Sequence, residues 1–155
     1  MKKTNAVRIL ESNNIPFQLS EYGVDKENLD AVSVAEKIGA DTEQVFKTLV
    51  AVGSDNENYV FVIPGSCELD LKKAAKAASV KKIEMIKMKD ILTITGYIRG
   101  GCSPIGMKKQ FKTYIDESAQ LFENIYISAG VRGMQLYINP ADLVNLINAE
   151  FADLI

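Results

Sequence analysis

Apolar and polar positions alternate along the chain in blocks that predict both helices and strands. Apolar spacings of three and four residues predict helices over residues 4–13, 31–38, 69–78 and 85–92, and from Pro140 onwards. Period-two alternation and short apolar runs predict strands over residues 17–22, 45–53, 59–63, 113–115, 125–128 and 135–138. Helices do not separate these strands at regular intervals, so we predict an α+β fold. We expect one domain over residues 1–155, with a mixed, mostly antiparallel, barrel-like sheet and packed helices.

Residues 45–53 and 59–63 are expected to lie at the centre of this sheet, because strands that are apolar on both faces are covered on both sides. Lys47 is the charged residue within the first of them. A lysine there must find a carboxylate, reach water or lose its charge through a lowered pKa. Two interpretations stay open: a lysine whose amine extends to solvent at the strand end, or a cleft lysine that binds an anion or a reacting group.

The segment 96–106 has an unusual backbone composition, with Gly100-Gly101 followed closely by Pro104. It matches no phosphate-binding loop. It is either a wide structural turn or a place where a ligand approaches the peptide groups. Cys102 within it is a candidate nucleophile only if nearby cations such as Arg99 activate the thiol. The second glycine-bearing turn, residues 128–133, is typical of a simple strand connection.

Histidine is absent from the sequence, which excludes Ser-His-Asp and Cys-His catalysis and any His-ligated metal. The two cysteines, Cys67 and Cys102, cannot alone complete a metal site, so we expect neither a metal nor a cofactor. No apolar run approaches the roughly 20 residues that span a bilayer, and no apolar signal segment opens the chain. We therefore expect a cytoplasmic protein with reduced thiols and no membrane partner.

Charge is unevenly distributed, although the net charge is only −2. Residues 72–112 contain eleven Lys and Arg against two Asp and Glu, a net charge of +9; the remaining seven basic and eighteen acidic residues give −11. A block this basic is typical of a surface that meets a polyanion. A solvated, lysine-rich helix face would also explain the lysines of residues 72–76.

Several motifs occur together in a specific order. They are Phe46-Lys47-Thr48-Leu49, residues 69–73, Thr95-Gly96-Tyr97, Gly100-Gly101-Cys102-Ser103-Pro104-Ile105-Gly106, Lys108-Lys109, residues 128–133 and residues 149–153, preceded by residues 17–25. In this combination the chain resembles the YbaK/EbsC family of aminoacyl-tRNA deacylases, free-standing relatives of the editing domain of bacterial prolyl-tRNA synthetase. The resemblance covers nearly the whole chain.

The resemblance implies hydrolysis of mischarged tRNA, chiefly Cys-tRNA(Pro), by an enzyme that acts in trans. The substrate's cysteinyl thiol would attack its own ester while the protein orients and polarises it, which suits a chain without histidine. The implied catalytic residues are Lys47 and Gly100. The implied substrate-binding residues are Tyr22, Gly101, Ser103, Ser128 and Arg132, and the implied tRNA-binding residues are Lys81, Lys82, Lys108 and Lys109. The expected partners are the aminoacylated 3′ end of tRNA and prolyl-tRNA synthetase, not DNA.

The chain departs from the family pattern in places that affect substrate choice. Family members commonly have a histidine shortly after the tyrosine that corresponds to Tyr22, a glycine where Ala129 stands, and a small polar or acidic residue where Gln135 stands. Three alternatives therefore stay open: deacylation of another mischarged tRNA such as Ala-tRNA(Pro), a non-catalytic module that binds tRNA or a synthetase, and a general polyanion-binding protein.

Overall fold

Two β-sheets and the helices packed on them form the fold in the computed structural model, which describes residues 3–24 and 30–155. The helices are α1 (Asn5–Ser12), α2 (Ala31–Ile38), α3 (Leu71–Ala78), α4 (Ile91–Thr95) and α5 (Pro140–Ile147), with 3-10 turns at Met88–Asp90 and Glu117–Leu121. The strands are β1 (Gln18–Glu21), β2 (Phe46–Gly53), β3 (Asn58–Pro64), β4 (Ile83–Met85), β5 (Lys112–Asp116), β6 (Ile125–Ser128), β7 (Met134–Ile138) and β8 (Glu150–Ala152).

The larger sheet has the strand order β4-β2-β3-β5-β8, and the smaller has the order β1-β7-β6. Pairing is antiparallel except for β3 with β5 and β5 with β8. A single parallel bridge between Val45 and Tyr126 joins the sheets. The predicted α+β class and mixed, mostly antiparallel pairing are confirmed, with the barrel-like arrangement consisting of two bridged sheets.

The central position predicted for residues 45–53 and 59–63 is confirmed, since β2 and β3 lie inside the larger sheet. Alternate side chains of β3 pack in two hydrophobic clusters on opposite sides of the larger sheet, because successive residues of a strand face opposite sides. Val60 and Val62 pack in the main core between the sheets. Phe61 and Ile63 pack on the other side, against α3. All four are fully buried.

The helix beginnings follow from side chains that cap unpaired backbone N–H groups. Asp70 accepts from the amides of Lys72 and Lys73 and caps α3. Asn139 does the same for α5, where Pro140 occupies the first turn as predicted. No helix in residues 3–24 and 30–155 is long and apolar enough to cross a membrane.

The helix predicted over residues 85–92 is confirmed only from Met88 onwards, and its predicted beginning is wrong. Ile83–Met85 instead forms β4, because its backbone pairs with residues 51–53 of β2. The helical part starts later, as a 3-10 turn followed by α4, and ends where Gly96 adopts a left-handed conformation with φ of 86°. A long-range pairing thus overrides the local apolar periodicity.

Candidate active site

A cavity of about 520 Å³ opens where the outer edge of β2 lacks a neighbouring strand. On this edge β6 joins only at Val45, and β4 pairs only with residues 51–53. The main-chain amide of Ile86 donates to the carbonyl of Val50, which marks the end of the covered part. In the described chain, residues 47–49 therefore border the cavity. Its lining consists of Asp30, Ala31, Val34, Val45, Phe46, Lys47, Thr48, Leu49, Gly65, Met88, Arg99, Gly100, Cys102, Ser128 and Gln135.

Lys47 lines this cavity and is partly buried. Within residues 3–24 and 30–155 it takes part in no ion pair. Of the two interpretations drawn from the sequence, the structure therefore favours a cleft lysine whose ammonium is available to a bound group.

The loop that carries Gly100 is fixed by its neighbours. Gly100 has φ of 83°, a left-handed conformation that glycine adopts without strain. A Cβ at Gly101 would lie 3.1 Å from the backbone of Val131 and from the amide nitrogen of Arg132, so these two loops touch backbone to backbone. The Nε–H of Arg132 donates to the carbonyl of Arg99 at 2.7 Å. The loop 128–133 thus holds Gly100 at the cavity wall.

Ser128 and Gln135 lie opposite each other on β6 and β7 and line the cavity. The Ser128 hydroxyl accepts from the amide of Gly130 at 3.1 Å. The Gln135 amide nitrogen lies 3.5 Å from the hydroxyl of Tyr22. Gln135 is 5% exposed, and its Oε1 has no hydrogen-bond partner within residues 3–24 and 30–155.

Thr48 supplies a second buried oxygen without a partner in the described chain, its Oγ1. An unsatisfied buried polar atom costs roughly 1–3 kcal/mol. Thr48 and Gln135 line the same cavity, so both unsatisfied oxygens belong to residues of its wall.

The structure brings only some of the predicted site residues to the cavity. Lys47, Gly100 and Ser128 line it. Tyr22 reaches it through Gln135, and Gly101 and Arg132 support the loop behind Gly100. Ser103 is fully buried, and its hydroxyl accepts from the amide of Ile105, so it stabilises the loop from within.

Cys102 lines the cavity, but burial raises the pKa of its thiol to about 11. The thiol is therefore protonated at neutral pH, whereas the nucleophilic form is the thiolate. The interpretation of Cys102 as an activated nucleophile is not supported. Its neutral side chain instead contributes to the cavity wall.

Among residues 3–24 and 30–155, the lining carries two cations, Lys47 and Arg99, and one carboxylate, Asp30. Asp30 is the N-cap of α2, and its hydrogen bond from the Ser33 amide lowers the pKa of its carboxyl group. This carboxylate is engaged by the helix rather than by a cation. The charges of the cavity thus favour an anionic group or a developing negative charge.

The four predicted tRNA-binding lysines are all exposed. Lys82 pairs with Glu84 at 2.8 Å, and the Lys108 amine donates to the carbonyl of Thr93 at 3.2 Å. The Lys109 amine lies 6.0 Å from the ring centroid of Phe111. Lys81 takes part in no ion pair of the described chain.

Sequence reasoning missed Thr48, Asp30 and Met88 as cavity residues. Thr48 follows Lys47 directly, yet its role depends on the missing strand neighbour. Asp30 carries a visible signal as a helix cap, but nothing in the sequence places that cap at the cavity. Asp25, the last residue of the family motif over residues 17–25, lies outside the described residues.

Comparison with known proteins identifies the family of the chain. The family model of the aminoacyl-tRNA editing domain matches residues 26–146. The chain belongs to the aminoacyl-tRNA editing domain family. The match spans most of this editing domain, including β2, the Gly100 loop and the β6–β7 pair that form the cavity.

Three relatives place the chain within the family. The candidate Cys-tRNA(Pro)/Cys-tRNA(Cys) deacylase EbsC of Enterococcus faecalis is 50% identical, over 99% of this chain and 93% of its own. The proline–tRNA ligase of Shouchella clausii is 30% identical over 68% of this chain, which covers 18% of that larger enzyme. A solved candidate trans-editing enzyme for prolyl-tRNA synthetase superimposes with a TM-score of 0.82 at 25% identity, over 99% of this chain and 98% of its own.

Proposed function

We propose that this editing domain is a trans-acting deacylase that hydrolyses Cys-tRNA(Pro). The observation that carries the proposal is that Lys47 and Gly100, from distant parts of the chain, line one cavity. The 50% identity to EbsC along nearly the whole chain supports the reaction and the aminoacyl group. The similarity to part of a proline–tRNA ligase supports tRNA(Pro) as the tRNA that carries the cysteinyl group.

Lys47 is the residue that we assign to the ester end of the substrate. Its ammonium hydrogen-bonds the terminal ribose or phosphate and stabilises the negative charge that develops as the ester reacts. A positioned cation inside a partly closed cavity acts more strongly than one in bulk water, because the local dielectric is lower. Its lack of an ion pair within residues 3–24 and 30–155 leaves it available for this role.

Gly100 is the residue that we assign to the amine of the aminoacyl group. Its main-chain carbonyl accepts a hydrogen bond from the substrate ammonium, and the absence of a side chain allows this close approach. The fixed position of the loop, through Gly101 and Arg132, supports this role, because a hydrogen bond orients a substrate only when its own partner is held in place.

The chemical step uses the substrate's own thiol. The cysteinyl sulfur attacks the ester carbonyl carbon, and the bond from that carbon to the ribose oxygen breaks. The ribose oxygen leaves with the proton that the thiol gives up, and water then opens the resulting four-membered cyclic thioester to give free cysteine. The chain contributes orientation and electrostatic stabilisation, consistent with its lack of histidine and with the neutral Cys102 thiol.

The expected setting of this reaction is the cytoplasm, beside prolyl-tRNA synthetase. Segment 81–109 supplies four residues of the cavity lining and also includes the four exposed lysines that we assign to tRNA binding. A basic surface of modest extent fits an enzyme whose affinity for tRNA is supplemented by a synthetase partner.

The test is deacylation of the same tRNA(Pro) charged with cysteine, alanine, serine or proline. We expect release of cysteine at least about 100-fold faster than release of serine, because serine has the same size but a much weaker nucleophile. Equal rates for cysteine and alanine would overturn the thiol-assisted step. Tight tRNA binding without hydrolysis would instead identify a non-catalytic module.

A further inference from the structure

The surface beside the cavity mouth combines exposed apolar and basic side chains. Met88, Leu92 and Ile98 are 63%, 54% and 45% exposed, and we refer to these three residues as the apolar lip. Single exposed apolar residues are ordinary on protein surfaces, but a group of them beside a cavity marks an interaction site. The structure therefore leaves an apolar surface next to the site of the proposed reaction.

The apolar lip is continuous with the cavity. Met88 and Arg99 line the cavity and bound the segment that carries the lip. Leu92 in α4 and Ile98 after it are exposed residues of the segment between these two cavity residues. Ile94 packs on the main core, so that side of α4 is already covered.

Cations surround the apolar lip. Lys87, Lys89 and Arg99 are exposed, and none takes part in an ion pair of the described chain. Lys108 also lies here, with its side chain against Gly96 at the end of α4 and its amine bonded to the carbonyl of Thr93. Asp90 is the single carboxylate between residues 85 and 109.

We propose that the apolar lip and its flanking cations bind the unpaired 3′-terminal nucleotides of the tRNA. The inference rests on the proposed function, because an ester held in the cavity is attached to the last ribose and the preceding nucleotides must cross the cavity mouth. Surfaces that bind single-stranded nucleic acid combine cations for the backbone with apolar or aromatic side chains for the base faces. The flexible side chain of Met88 adapts to different bases.

This placement differs from the tRNA contacts expected from the lysines alone. Lysines at positions 81, 82, 108 and 109 attract the phosphate backbone without regard to strandedness. The apolar lip requires base faces that are not stacked in a duplex, so it discriminates the unpaired end from the paired acceptor stem. It gives the cavity a binding site for nucleotides that the ester itself does not contact.

The test compares Leu92→Ser/Ile98→Ser with Leu121→Ser, a matched loss of apolar surface at a residue that is 82% exposed and outside the cavity lining. Two substrates are used: Cys-tRNA(Pro) and cysteinyl-adenosine, which lacks the preceding nucleotides. Binding of an uncharged oligonucleotide ending in CCA is measured by fluorescence anisotropy. Circular dichroism verifies that all variants are folded.

We expect the double variant to raise KM for Cys-tRNA(Pro) and Kd for the oligonucleotide by about three- to tenfold. The loss on cysteinyl-adenosine should be at least about threefold smaller, and Leu121→Ser should match the wild type. A separate variant, Lys87→Gln/Lys89→Gln, tests the cations. The slope of the logarithm of the oligonucleotide binding constant against the logarithm of the salt concentration should become less negative by about one.

The outcomes separate this inference from the proposed function. If the wild type deacylates Cys-tRNA(Pro) and the double variant behaves like Leu121→Ser, the proposed binding of nucleotides by the apolar lip is wrong, whereas the proposed function is retained. If the wild type hydrolyses neither ester but the double variant still loses oligonucleotide binding, the proposed function is wrong, whereas nucleotide binding by the apolar lip is retained. A loss that occurs only when prolyl-tRNA synthetase is added would assign the surface to a protein partner and overturn the lip.

Discussion

The two parts of strand β2 make different contributions although they share one neighbour, β3. Residues 50–53 are covered by β4 or its following residue on their outer edge, and Val50 and Ala51 are buried. Residues 47–49 lack that cover in the described chain and line the cavity. The comparison shows that a site can arise where a sheet stops pairing, without an insertion or an unusual strand. Two predictions test how far stability and activity separate along this strand, and three more test the Gly100 loop, the exposed lysines and Cys102.

The largest effect is expected at Lys47. Lys47→Ala should lower the rate of cysteine release from Cys-tRNA(Pro) by about 100-fold or more, the usual loss when one stabilising group is removed. Its free energy of unfolding should change little, because it takes part in no ion pair of the described chain. Single-turnover kinetics and urea unfolding provide the two values. Lys47→Arg is the control that retains the charge. A Lys47→Arg rate as low as that of Lys47→Ala would show that the position of the amine matters as well as its charge, whereas a rate near that of the wild type would contradict a role for position.

Val50→Ala should lower the stability of the protein and leave its activity nearly unchanged. Val50 is 4% exposed in the main core, and removing two buried methyl groups should lower the free energy of unfolding by about 2 kcal/mol. The rate of deacylation should stay within about twofold of the wild type at temperatures where the variant is folded. A rate loss as large as that of Lys47→Ala would show that the two parts of β2 are not separable.

Gly101→Ala tests the loop that faces residues 47–49 across the cavity. Its Cβ would lie 3.1 Å from the backbone of Val131, so one of the two loops must shift. We expect about a tenfold loss of kcat/KM, since misplacing a positioning group by a fraction of an ångström weakens catalysis. Gly23→Ala is the control, because its Cβ would meet no atom of residues 3–24 and 30–155 within 4 Å. Equal rates for the two variants would remove the proposed link between the loop and Gly100.

Neutralising Lys81, Lys82, Lys108 and Lys109 should have a smaller, substrate-dependent effect. Replacement by Gln should weaken use of Cys-tRNA(Pro) by several-fold at low salt and make the salt dependence shallower, while sparing a cysteinyl ester without tRNA. Lys72→Gln/Lys76→Gln on the exposed face of α3 is the matched control. An unchanged salt slope in the fourfold variant would place tRNA elsewhere on the surface.

The smallest effect concerns pH. Burial raises the pKa of Cys102 to about 11 and of Tyr97 to about 12. The folded protein therefore retains protons that the unfolded chain releases, so the free energy of unfolding should fall as pH rises from about 9 to 12. Cys102→Ala should make this fall less steep, as measured by urea unfolding at several pH values. An unchanged slope would show that the Cys102 thiol titrates at its ordinary value.

The sequence allowed prediction of the parts of the site that local pattern determines. Lys47 within an apolar strand and the glycines at 100 and 101 are conspicuous in the sequence alone. The unpaired edge beside Thr48 is not, because it depends on where β4 and β6 stop, and strand register is set by distant partners. The same long-range pairing makes the beginning of the helix predicted over residues 85–92 wrong, since Met85 lies in β4. No local pattern shows that Gln135 retains an unpartnered oxygen.

The most direct test measures activity and stability in the same samples for variants in both parts of β2. The rate of cysteine release from Cys-tRNA(Pro) and the free energy of unfolding are measured for the wild type, Lys47→Ala and Val50→Ala. The account predicts that Lys47→Ala loses about 100-fold in rate at unchanged stability, while Val50→Ala loses stability at an unchanged rate. A folded Lys47→Ala protein that releases cysteine within threefold of the wild-type rate would contradict it.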